Sequence, residues 1–277
     1  MILLNPGPVN VSERVRQALL RPDICHREAE FNDLIEGIRD KLLRAFAPGG
    51  NFVPLLVTGS GTAAVEAAVT SCLPPGRRIL IIKNGVYSQR ISAIANAHKM
   101  QNMDISFEWD QRVENEPIEV ALRQNKAIQV VAVVQHETST GMLNPVKEIG
   151  AIAKKAGRFL LVDGVSSLGG EEIDFSSYNV GLIAGSSGKC IQGFPGVGFV
   201  LVRLHPGGAT LLCLRRGAER AAGGGGGDPH RAISQAGAAR PKPHAGHSDE
   251  VLPARAPLVE YPDRLHPAGG RLLRSPA

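Results

Sequence analysis

Cysteine is scarce and badly spaced for any cross-linked framework. The four cysteines in 277 residues, Cys25, Cys72, Cys190 and Cys213, are too far apart and too irregular for a disulfide scaffold or a zinc site. No apolar run approaches the roughly 18 residues that a membrane helix needs. The opening Met-Ile-Leu-Leu-Asn-Pro-Gly-Pro has neither the basic flank nor the apolar length of a signal peptide. These absences set aside a secreted, collagen-like or membrane-spanning chain. The expectation is a cytoplasmic protein that binds no membrane and holds no metal. Its length suits one large globular domain, or one with a smaller partner.

A net charge of +5 and a pI near 9.2 invite a nucleic-acid reading until the charge is divided along the chain. Residues 1–202 hold 20 basic and 20 acidic residues, so they carry none of it. Residues 203–277 hold the other 11 basic and 6 acidic residues. Of those 75 residues 34 are Gly, Pro or Ala and only 12 are Leu, Ile, Val or Phe, too few to offset the entropy of ordering. The composition predicts a body over 1–202 and a disordered low-complexity tail over 203–277. Its abrupt onset after a strand, in residues with GC-rich codons, is what an out-of-frame reading of a GC-rich gene produces; a genuine extension is the alternative. A protein gripping RNA or DNA through this tail is the rival reading from another class. The tail lacks the interleaved aromatics that stack bases, so no nucleic-acid partner is expected.

Within the body, short β-branched runs alternate with amphipathic segments. Strands are expected at 52–57, 78–83, 105–109, 128–134, 159–162, 180–184 and 198–202. Helices are expected at 62–72, 87–97, 117–124 and 146–156, with a long one over about 30–46 before the first strand. The fold class is α/β, a mostly parallel seven-stranded sheet flanked by helices. Such sheets bind ligands beyond the carboxyl ends of their strands.

Five loops stand at those ends. Gly59-Ser60-Gly61-Thr62 opens a helix with small residues, a cradle for phosphate or a plain cap by Ser60 or Thr62. Asn84-Gly85-Val86-Tyr87 places an aromatic at a helix start, for stacking or for packing. Gln135-His136-Glu137-Thr138-Ser139-Thr140-Gly141 is a hydroxyl-rich site or a hydrogen-bonded turn. Asp163 ends an apolar strand, half buried, where it needs a cationic partner. Lys189 lies among Gly185-Ser186-Ser187-Gly188, as a surface lysine or as an activated amine. Together a phosphate cradle, a ring face, a hydroxyl, an Asp and a Lys are what a pyridoxal phosphate site requires.

On these loops, with Leu4-Asn5-Pro6-Gly7-Pro8-Val9, Asp23-Ile24-Cys25-His26-Arg27-Glu28 and Gly188-Lys189-Cys190-Ile191-Gln192-Gly193-Phe194-Pro195-Gly196, residues 1–202 resemble the class V, fold-type I aminotransferases. Within them the Cys-His-Arg-Glu and Lys-Cys-Ile-Gln-Gly runs favour the 2-aminoethylphosphonate–pyruvate branch over alanine–glyoxylate or serine–pyruvate types. The resemblance implies pyridoxal 5'-phosphate linked to Lys189, with Asp163 on the pyridine nitrogen, Thr138 on the phenolic oxygen, Tyr87 on the ring face and Ser60, Gly61 and Thr62 on the phosphate. It implies an amine donor and pyruvate as substrates, and a homodimer where the family's C-terminal part is present. Two departures stand out. Gly188 replaces a polar side chain usual in the family. Residues 203–277 show nothing of the family's C-terminal small domain, so poor cofactor binding is expected of this chain as written.

Overall fold

The seven strands read from the sequence form one sheet in the computed structural model, which describes residues 2–204. In chain order the elements are α1 (Glu13–Gln17), a 3-10 turn (Ala18–Leu20), α2 (Ala29–Phe46), β1 (Phe52–Thr58), α3 (Gly61–Ser71), β2 (Arg78–Lys83), α4 (Val86–Ala97) and β3 (Asn102–Ser106). There follow α5 (Asn115–Gln124), β4 (Ile128–Val134), β5 (His136–Glu137), β6 (Met142–Leu143), α6 (Val146–Lys155), β7 (Phe159–Asp163), β8 (Val180–Ser186) and β9 (Val197–Arg203). The expected tail, and the small domain found wanting there, concern residues beyond 204, which lie outside the described ones.

The sheet order is β1-β9-β8-β7-β4-β2-β3. All its strands run the same way except β9, which lies antiparallel between β1 and β8. The central strands are apolar throughout because both faces are covered. On one face Ile79, Ile81, Val130, Ala132, Val134 and Leu161 pack against α3 and α4. On the other Leu80, Ile82, Val131, Val133, Leu160 and Val162 pack against α5, α6 and the last turns of α2. Each fully buried Ile or Leu contributes about 1.5–3 kcal/mol.

The helices form where apolar residues recur at helical spacing. Val146, Ile149, Gly150 and Ala153 are the buried stripe of α6. That helix stops at Gly157, whose φ of 68° lets its N–H reach Lys154 C=O at 2.9 Å and the Arg158 N–H reach Ala153 C=O at 2.8 Å. In α2 a half-buried stripe of Phe31, Ile35, Ile38, Leu42 and Phe46 follows the same spacing.

One strand is displaced from its expected place. The alternation of Ile105, Phe107 and Trp109 suggested 105–109, whereas β3 spans Asn102–Ser106. It is an edge strand, so polar residues are tolerated there. Asp104 receives Lys83 Nζ at 2.9 Å and the Ser92 hydroxyl at 2.6 Å, while Trp109 is left 46% exposed. The short α1 and the β5–β6 hairpin were not expected from the sequence; neither is long enough to show a period. Among the described residues no helix is long and apolar enough to cross a membrane.

Candidate active site at the carboxyl ends of the parallel strands

The first corner is the turn from β1 into α3. Ser60 is the N-cap residue, yet its hydroxyl makes no capping bond and is exposed, so the plain-cap reading fails. Its carbonyl takes the N–H groups of Ala63 (3.0 Å) and Ala64 (3.3 Å). The N–H groups of Gly61 and Thr62, at the positive end of the helix, have no partner within it. Gly61 is required by a close approach: a Cβ there would lie 2.5 Å from Val165 Cγ1 and 2.8 Å from its Cγ2. Thr62 Oγ1 does not cap either; it accepts from Arg90 Nη1 at 3.0 Å.

The second corner joins β2 to α4. Asn84 is buried and exchanges amide hydrogen bonds with Asn144 at 2.7 and 3.2 Å. Ser88 Oγ accepts the N–H groups of Asn84 and Gly85, both at 3.0 Å. Tyr87 is half-buried, with the Arg90 guanidinium 4.9 Å from its ring centre.

The hydroxyl-rich run after β4 is a hydrogen-bonded turn that meets the start of α4. Thr140 and Gly141 N–H groups bond to Glu137 C=O at 3.1 and 2.9 Å, closing the β5–β6 hairpin around Thr138. Thr138 is half-buried at its tip. Glu137, for which sequence reasoning assigned no role, is completely buried. Its carboxylate accepts from Tyr87 N–H (3.2 Å), Ser88 N–H (2.9 Å) and Ser139 Oγ (2.6 Å), and Ser139 Oγ accepts Val86 N–H at 3.0 Å. The available signal was an acid just past a buried strand, in a fold where a neighbouring helix N-terminus attracts anions.

Asp163 ends β7 in register with Val134 on one side and Ala184 on the other. The expected cationic partner is absent: no ion pair among the described residues involves Asp163. Instead its Oδ1 accepts Val165 N–H at 3.0 Å. Burial pushes its pKa up to about 6; the Val165 bond opposes this, Glu137 adds to it and Arg90 draws it down. Such a carboxyl is suited to a ligand that brings a positively charged N–H.

After β8, Lys189 begins a tight turn that returns to β9. Gln192 N–H bonds to Lys189 C=O at 2.8 Å and Gly193 N–H to Ser187 C=O at 2.7 Å. A Cβ at Gly188 would stand 3.1 and 3.3 Å from Pro195 backbone atoms, tighter than an ordinary contact. Cys190 Sγ donates to Ser166 C=O at 3.2 Å, tying this turn to the loop after β7. Lys189 is half-buried and makes no ion pair among the described residues, and its side chain lies against Gly7.

The structure thus links the sequence-named residues in pairs. Val165 joins the Asp163 loop to Gly61, Arg90 joins Tyr87 to Thr62, and Glu137 joins Tyr87 to the turn bearing Thr138. No direct hydrogen bond or ion pair joins Lys189 to any of them among the described residues. The arrangement fits pyridoxal phosphate. The Ser60 hydroxyl is uncommitted at the N-terminus of α3, suited to a phosphate, and the buried Asp163 makes no ion pair among the described residues, suited to a protonated ring nitrogen.

Comparison with known proteins identifies the family and the fold. Residues 12–217 match the family described as aminotransferase class-V. The chain is 39% identical over 202 residues to the 2-aminoethylphosphonate–pyruvate transaminase of Syntrophobacter fumaroxidans, covering 73% of this chain and 54% of that one. It is 38% identical over 201 residues to the bifunctional phosphonoacetaldehyde hydrolase/aminoethylphosphonate transaminase of Clostridioides difficile, covering 72% and 31%. Among solved structures, an alanine–glyoxylate aminotransferase from Nostoc sp. superposes with TM-score 0.70 at 29% identity, over 78% of this chain and 55% of that one. The chain spans about half the length of the transaminase relatives it matches.

Proposed function

The chain belongs to the class-V aminotransferases, and we propose that it moves the amino group of 2-aminoethylphosphonate to pyruvate with pyridoxal 5'-phosphate, giving phosphonoacetaldehyde and alanine. The observation that carries the reading is that Gly61 and Tyr87 at the starts of α3 and α4, Asp163 at the end of β7, and Thr138 and Lys189 in turns all stand at the carboxyl ends of the parallel strands, in a chain 39% identical over 202 residues to a transaminase of that name. We extend it to a cytoplasmic location, for which the sequence shows no contrary targeting signal, and to a homodimer where the family's C-terminal part is present, as the resemblance implies.

When bound, pyridoxal phosphate supplies a carbonyl for the amino group and a ring that withdraws electrons from the neighbouring carbon. The Ser60 hydroxyl and the N–H groups of Gly61 and Thr62 hold the phosphate at the start of α3. Tyr87 backs the ring face. Asp163 accepts from the protonated ring nitrogen, and that positive charge lowers its pKa from the value burial imposes. Thr138 donates to the phenolic oxygen. The Lys189 amine would hold the cofactor and, acting as base and then as acid, would carry the proton from the donor's amino-bearing carbon to the carbon that takes up the amino group. Asn5-Pro6-Gly7-Pro8 lines the substrate side.

Alanine formation from pyruvate, measured with the purified chain and pyridoxal phosphate, tests this. The composition of residues 203–277 predicts poor cofactor binding, so the expected result at saturating pyridoxal phosphate is slow alanine formation that depends on 2-aminoethylphosphonate and disappears in Lys189→Ala. Serine serving as the better donor, or glyoxylate as the better acceptor, would overturn the substrate assignment; no cofactor uptake would overturn the function.

A further inference from the structure

Glu137 is a fully buried carboxylate that the reaction above does not use. Three donors converge on it, two of them N–H groups of the first turn of α4, where the helix carries partial positive charge, and the third the Ser139 hydroxyl. A carboxylate meets them because both its oxygens only accept. An amide in its place would turn an NH2 toward an N–H. Space confirms the fit: a Cβ at Gly85 would collide with Glu137 Cγ and stand 2.6 Å from Ser139 Oγ.

The consequence lies in what the first turn of α4 carries. Tyr87 is in that turn, and Arg90 follows it, facing the Tyr87 ring and reaching Thr62 in the cradle. The hairpin that supplies Glu137 also holds Thr138. One buried acid therefore pins the start of α4, with Tyr87, to the turn bearing Thr138. We propose that Glu137 is a positioning residue that holds Tyr87 and Thr138 in fixed relation and so sets the tilt of the pyridoxal phosphate ring. The proposal rests on the cofactor reading above, and Glu137 acts through Tyr87 rather than on the reacting atoms.

The test uses the full chain with Glu137→Gln and the milder Ser139→Ala, which removes one donor and leaves the carboxylate. Three quantities are measured: pyridoxal phosphate affinity, the circular dichroism of the bound cofactor at saturation, and amide hydrogen exchange without cofactor. Glu137→Gln is expected to weaken affinity at least tenfold and to halve the cofactor dichroism at saturation. Ser139→Ala is expected to move both in the same direction by a smaller factor. Exchange should quicken at Tyr87 and Ser88 while Ile81 and Val131, in central strands, keep their protection. A merely structural role would quicken exchange everywhere and leave the saturated dichroism unchanged, overturning the proposal. Wild-type affinity and dichroism in both variants would overturn it too. Should Glu137→Gln fail to fold, Ser139→Ala alone decides. A wild-type chain that takes up no pyridoxal phosphate overturns the proposed function itself, an outcome separate from variants that match a wild type that binds.

Discussion

Gly7 and Lys189 are in van der Waals contact: a Cβ at residue 7 would stand 2.6 Å from Nζ and 2.5 Å from Cδ of the lysine. The glycine also holds a φ of 154°, a conformation that side chains rarely adopt. The N-terminal segment therefore sets the space open to the amine, although it lies far from the lysine in the chain.

Gly7→Ala should displace the amine and leave the fold standing, because the atoms it meets are the far end of a flexible side chain. Alanine formation is expected to fall at least tenfold, with stability lowered by about 1–3 kcal/mol because a side chain is strained at this φ. Parallel assays of turnover and unfolding check it; equal turnover would show that Lys189 has another resting place.

Asp163→Asn should stabilise the cofactor-free chain at neutral pH. The native carboxyl titrates at about 6 against an ordinary 3.8, so between those values the native state binds more protons than the unfolded chain. Stability then falls as pH rises through that window and levels off above it. The cost above pH 6 is about 3 kcal/mol as an order of magnitude, and the amide escapes it while still accepting Val165 N–H. Urea unfolding at pH 7 and pH 4 should show an advantage that vanishes at the lower pH. The same variant should lose at least a hundredfold in alanine formation. An advantage independent of pH would mean that Asp163 carries no raised pKa.

Gly61→Ala places a methyl against Val165 and should cost about 1–3 kcal/mol by overpacking. Adding Val165→Ala should return part of that loss, a coupling that denaturant midpoints of the two single variants and the double variant would measure. Additive losses would show that the two loops do not touch.

Arg90→Met removes an exposed cation from Tyr87 and from Thr62 Oγ1. Stability should change by about 0.5 kcal/mol or less, as for most exposed substitutions. Pyridoxal phosphate affinity should fall about fivefold, the worth of one modest hydrogen bond. Isothermal titration of both chains decides, and a larger loss of stability than of affinity would place Arg90 among the structural residues.

Much of this was legible in the sequence because it is written in local pattern. Strands buried on both faces must be short apolar runs, so β2, β4, β7, β8 and β9 could be placed within two residues, and a parallel sheet puts its loops at one end. The residue types for the cofactor's phosphate, ring and amine followed in chain order. β3 slipped because an edge strand half open to water need not alternate.

What tertiary structure decided concerns contacts between distant segments. That Glu137 caps α4, that Gly7 bounds Lys189, and that Asp163 is buried without a cation depend on which loops meet at the end of the sheet. Hydrogen bonds and close packing act over a few ångströms whatever the separation in sequence, so no periodicity records them. The sequence by itself determined the sheet, its helices and the chemistry its loops can hold; only the packed fold decided which buried groups are satisfied, and by whom.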